Sequence, residues 1–121
     1  MPDNTSSTDG LVRYRIFIII EMPDGDETVS FNAYGQLLPR IGEELELEGG
    51  NGESLCVLIT GVDHWFFAGE DRGHPGVTVT GGLAGGFDRE LAHRLATEPG
   101  ALKTWLDPFP LLEAVDFAPQ P

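Results

Sequence analysis

The chain holds one cysteine, Cys56, in 121 residues. A lone cysteine forms no internal disulfide, so nothing in the sequence calls for an oxidising compartment. Basic residues are scarce too: 7 Lys and Arg stand against 20 Asp and Glu, for a net charge of -13. Nucleic acids and anionic membrane surfaces are both recognised largely through Lys and Arg, so direct binding to either is argued against. A basic protein partner is compatible with this balance. No apolar run reaches the ~20 residues of a membrane-spanning helix. The most hydrophobic stretch, residues 16–20, is bounded by Arg15 and Glu21. MPDNTSSTDG at the start lacks the basic opening and apolar run of a signal peptide, and a soluble cytoplasmic protein is expected. No internal repeat is visible.

What is abundant is glycine and proline, 16 and 9 residues respectively, which break long helices and favour a loop-rich, mainly β (α+β) domain. Residues 1–10 are expected to be a flexible tail, 11–115 a single small domain and 116–121 a loose tail. Over residues 11–22, Val12, Tyr14, Ile16, Ile18, Ile20 and Met22 alternate on one face, and the middle of the opposite face is also apolar. This pattern predicts a central strand covered on both sides. A turn at Pro23, Asp24, Gly25 and Asp26 leads to a half-buried partner strand over residues 27–34.

The stretch 37–65 organises the remainder. Pro39, Arg40, Ile41 and Gly42 mark a corner. EELELE over residues 43–48 puts Leu45 and Leu47 on one face and Glu44, Glu46 and Glu48 on the other. A Gly-rich loop then enters a long strand over residues 54–66, apolar on both faces, with Gly61 as a bulge candidate. A short fifth strand is expected over residues 77–80. Asp88 is a candidate N-cap of a helix that stops at Pro99 and Gly100. Beyond it, one or two short helical turns are expected, broken by Pro108 and Pro110. Over residues 11–80, four or five strands in meander order, a Pro-x-x-Gly corner and a curved long strand resemble an SH3-like barrel. The expected fold is therefore a small antiparallel, SH3-like, partly open barrel of about five strands with a C-terminal helix on it. The pattern points to no specific family, and fold alone carries no function.

Residues 23–48 hold seven acids, Asp24, Asp26, Glu27, Glu43, Glu44, Glu46 and Glu48, against the single base Arg40, a local net of -6. Together with Trp65 these are the candidate partner-binding residues, a docking surface for a basic protein. The competing explanation is a solvated face that keeps an edge strand soluble. A second functional class is a nucleic-acid-mimicking inhibitor or antitoxin-like protein of a basic enzyme. A third is a metal-dependent binder or enzyme using Asp63, His64, Glu70, Asp71 and His74; their spacing matches neither HExxH nor a His-x-Asp facial motif, and surface-loop residues are the preferred reading. No cofactor, metal or catalytic residue is therefore expected.

Gly81, Gly82, Gly85 and Gly86 fit neither GxGxxG nor a P-loop and read as a flexible connector. Cys56, inside LCVLI, reads as a buried hydrophobe, although His64 or His93 could serve it as a base. Trp65, Phe66 and Phe67 cannot all point inward from a regular strand. The expectation is that Trp105 and Phe109 of the C-terminal segment cover the outward one; left exposed, it would be a binding anchor. Homo-oligomerisation stays open, because the long apolar first strand could present an uncovered edge.

Overall fold

The alternating apolar run at the start of the domain forms β1 (Val12–Ile20), with Tyr14, Ile16, Ile18 and Ile20 all buried on one side. A computed structural model describes residues 10–50, 52–69, 74–85 and 88–115. The expected N-terminal and C-terminal tails lie outside them, apart from Gly10. The β1 register pairs Val12 with Gly35 and Ile20 with Glu27 across an antiparallel hairpin to β2 (Glu27–Gly35). Gly25, at φ 127, makes the turn that joins them.

From β2 the chain crosses to the opposite margin of the sheet. There β3 (Glu44–Glu48) and β4 (Ser54–His64) form a second hairpin, closed by a Gly49 N–H bond to Glu53 O of 2.7 Å. A Cβ on Gly49 would stand 2.5 Å from Glu53 O and 2.8 Å from Trp105 Nε1, so only glycine fits beneath the indole. β5 (Val77–Leu83) then returns to the centre and lies parallel to β1. After the helices α1 (Asp88–Thr97) and α2 (Ala101–Leu106), a short β6 (Leu112–Ala114) pairs with β2. The sheet order is β3-β4-β5-β1-β2-β6. It curls into a half-barrel in a mainly β fold, 44% strand and 16% helix over the described residues.

One face of this sheet is the core. Val29, Phe31, Ala33, Leu55, Val57, Ile59 and Val79 join the β1 residues there, and α1 and α2 cover them with Leu91, Ala92, Leu95, Trp105 and Leu106. Asp88 and Glu90 in the first turn of α1 and Arg94 in its last complement the helix dipole. Gly100, at φ 77, turns the chain between the helices.

The structure departs from the expected barrel in several places. The central β1–β5 pair is parallel, so the strand order is not a meander. Among the described residues there are six strands, and the helices precede a final strand that the prolines around it concealed. Gly81 and Gly82 belong to β5 and pair with Ile18 and Ile19, so they are not a connector. A Cβ on Gly81 would come within 2.6 Å of Leu58 O and Val57 Cγ1, and the glycine lets β4 and β5 close around the bulge. That bulge, between Ile59 and Gly61, falls where the sequence suggested. β1 is central with both edges paired, which removes the free edge invoked for self-association. The helices cover it on one side only, leaving Ile19 38% exposed on the other.

Candidate binding face

Strand alternation decides what the outer face carries. Because Leu45 pairs with the fully buried Val57, Glu44, Glu46 and Glu48 must project to the outer side, and all three are exposed. They stand on β3, an edge strand of the sheet. Beside them on β4 lies Cys56, half-buried on the outer side and not in the core as its apolar neighbours suggested. Its Sγ is 3.5 Å from Glu44 Oε1. Desolvation first, then the bond to Glu44 and the surrounding carboxylates, pushes the thiol pKa up, which favours the protonated thiol. Oxygens of Glu44 and Glu46 and the Cys56 sulfur lie within 4.8 Å of one another. Such an exposed acidic cluster is ordinary for an acidic sheet edge.

Next to this row the outer face turns apolar. Leu58, Gly82 and Ile19 align across β4, β5 and β1, with Leu58 and Ile19 each 38% exposed. Towards the β4–β5 connection, Trp65 Nε1 donates to Thr78 Oγ1 at 3.0 Å, which lays the indole over the outer face. Phe67 stacks on Trp65 with ring centroids 6.5 Å apart, and His74 meets both rings edge-on. Phe66 is 95% exposed. The expected cover from the C-terminal segment does not form: Trp105 and Phe109 pack on each other, 4.9 Å apart, and Trp105 is buried against Gly49.

A polar network fills the far side of this face. Arg13 binds Glu113 through Nε at 3.1 Å and Nη2 at 3.0 Å. Asn32, 3% exposed, donates to Glu113 Oε1 and accepts from Arg15 Nε, while Tyr34 Oη donates to Glu113 Oε2. None of these residues was singled out from the sequence. The i, i+2 spacing of Arg13 and Arg15 on an otherwise apolar strand was the available signal. Without β6, nothing marked Glu113 as their counter-charge.

The remaining candidates are dispersed. Asp24 and Asp26 are exposed in the β1–β2 turn, but β2 is four strand spacings from β3, about 19 Å along the sheet. Glu27 faces inward and pairs with His93 Nδ1 of α1 at 2.7 Å. Glu43 caps its own corner, accepting from Arg40 N at 2.8 Å. The single acidic surface expected from residues 24–48 is therefore two surfaces. Of the loop residues considered for a metal, Asp63 and His64 are exposed, His74 is engaged with the aromatic rings, and Glu70 and Asp71 lie outside the described residues.

The fold and this face together define a small mainly β domain with one helix-covered and one open sheet face. In comparisons with known proteins, no family model, no curated protein and no solved structure matches the chain. Among the described residues no helix is long and apolar enough to cross a membrane.

Proposed function

We propose that the protein is a non-enzymatic acidic module that binds a basic protein partner, or inhibits it, through the outer face of its sheet. The observation that carries this reading is the common placement of the Glu44, Glu46 and Glu48 row and the Trp65 indole on one face, with exposed Leu58 between them and exposed Ile19 one strand beyond on β1. Thr78, under the indole, is four residues along β5 from Gly82, and Glu44 is two strands across from Gly82. By strand geometry the acidic row and the indole are therefore ~16 Å apart. Both fit inside one interface of ordinary size, about 800 Å² per partner.

The carboxylates would steer a basic surface into place, and the aromatic and aliphatic side chains would be buried on contact. Asp24, Asp26 and Glu27 are not required by this arrangement. A free Cys56 suits a reducing, cytoplasmic setting.

Affinity capture from the native cell extract at low and high salt supplies the partner for the test. Replacing Glu44, Glu46 and Glu48 with Lys is expected to abolish its binding, and binding to the unmodified protein is expected to fall as salt rises. A partner that holds equally well to the charge-reversed protein removes the proposal.

A further inference from the structure

Among the described residues, Arg15 is a cation with no carboxylate to balance it. Its neighbour Arg13 has Glu113, but the one bond of the Arg15 guanidinium, from Nε to Asn32 Oδ1 at 3.0 Å, goes to a neutral oxygen. Among the described residues no carboxylate is within ion-pair distance of Arg15, and no further bond holds its Nη groups. Asn32 is fixed in turn by its Nδ2 bond to Glu113 at 3.2 Å, so the amide oxygen holds the guanidinium in one orientation. Arg15 is half-buried, and burial, followed by the charge of Arg13, lowers its pKa. A charge so placed is stabilised by an incoming anion.

What flanks it selects the kind of anion. Arg15 pairs laterally with Thr78 in β5, and Thr78 Oγ1 accepts from Trp65 Nε1, so the half-exposed indole lies over the strand on one side of Arg15 and the Asn32 that holds its guanidinium lies on the other, the Thr78 and Asn32 backbones each about one strand spacing, ~4.8 Å, from that of Arg15. Phe67 and His74 back the indole. On the same row, Asp63 pairs with Thr78 on its other side and lies two spacings, ~10 Å, from Arg15, and Glu113 already neutralises Arg13. With these carboxylates nearby and one positive charge unmatched among the described residues, a monoanion suits the site better than a phosphate dianion.

We infer that Arg15 and Trp65 form a subsite for a carboxylate carried on an aromatic or other apolar body, the guanidinium fork taking the carboxylate and the indole the body. The subsite does not rest on the basic-partner reading, since charge reversal along β3 leaves Arg15 and Trp65 in place. Such a group could be a small aromatic acid or the C-terminal carboxylate of a chain ending in an aromatic residue. The chemistry is the same in both.

The test is a titration of the whole protein followed through the Arg15 Nε–H and Trp65 indole N–H resonances. Phenylacetate should move both saturably, and its neutral analogue phenylacetamide should move neither. Arg15→Gln should weaken phenylacetate binding about tenfold or more. Arg15→Lys, which keeps the charge but loses the fork, should weaken it by a smaller factor. Comparing Gly-Gly-Phe, its C-terminal amide and phenylacetate then separates the two sources: the acid bound more tightly identifies the kind of ligand. Equal responses to phenylacetate and phenylacetamide, unaltered binding by Arg15→Gln, or no movement at ~50 mM phenylacetate would overturn the inference.

Discussion

The inner and outer faces of the sheet come from the same strands, yet they are filled on opposite terms. The inner face is almost wholly apolar, fully buried at Ile18, Phe31, Val57 and Val79, and covered by two helices. The outer face carries a carboxylate row, exposed Leu58 and Ile19, an aromatic cluster and an arginine network, with no helix over it among the described residues. Alternation along a strand forces both patterns at once. Stability is therefore concentrated on one side, and the other is free to carry recognition.

Substitutions should separate the faces clearly. Phe31→Ala, at a site with no exposure, is expected to cost ~3–5 kcal/mol in a denaturant melt. Leu58→Ala, on the outer face, should cost about 1 kcal/mol or less. Comparable losses at the two positions would break the distinction between faces.

Next in size is Gly81→Ala, expected to cost ~1–3 kcal/mol because its Cβ meets the β4 backbone. Gly82→Ala, whose Cβ would find only Ile19 O at 3.9 Å, is the matched control and should unfold close to the unmodified protein. Asn32→Leu tests the polar side of the outer face. It leaves Arg15 and Glu113 short of a bond each and should cost ~1–3 kcal/mol, also read from a melt.

The smallest effect is chemical. Glu44→Gln removes the main polar cause of the raised Cys56 pKa, so the thiolate fraction at a given pH rises and alkylation of Cys56 should quicken severalfold at pH 8. An unchanged rate would mean that desolvation and the remaining carboxylates, Glu46 and Asp88, set the thiol without Glu44.

The inner face is largely legible in the sequence, since Tyr14, Ile16, Ile18 and Ile20, then Leu45 and Leu47, alternate without interruption. The four main strands begin and end close to their expected bounds for that reason. Strand order was not legible. Nothing local in Val77–Leu83 announces a parallel partner 63 residues earlier, where Ile18 faces Gly81. Gly81 inside β5 imitates a loop residue because its requirement, close approach by Leu58 and Val57, comes from a different strand.

The candidate site was half visible. Glu44, Glu46 and Glu48 were placed on one face by spacing alone, and Trp65 joins them there. Counting charge along the chain wrongly merged Asp24, Asp26 and Glu27 with that row, because nearness in sequence hid three intervening strands. Cys56 was misassigned for a related reason: apolar neighbours on both sides of a strand say nothing about which face is covered. The Arg13, Arg15, Asn32 and Glu113 network needed β6 in place before its members could be connected.

The most direct measurement is the dissociation constant of the captured basic partner, taken at low and high salt for the unmodified protein and for the Glu44→Lys, Glu46→Lys, Glu48→Lys triple variant. An outer face that recruits through this row requires salt-weakened binding in the first and abolished binding in the second. Equal constants for the two proteins, unaffected by salt, would contradict it.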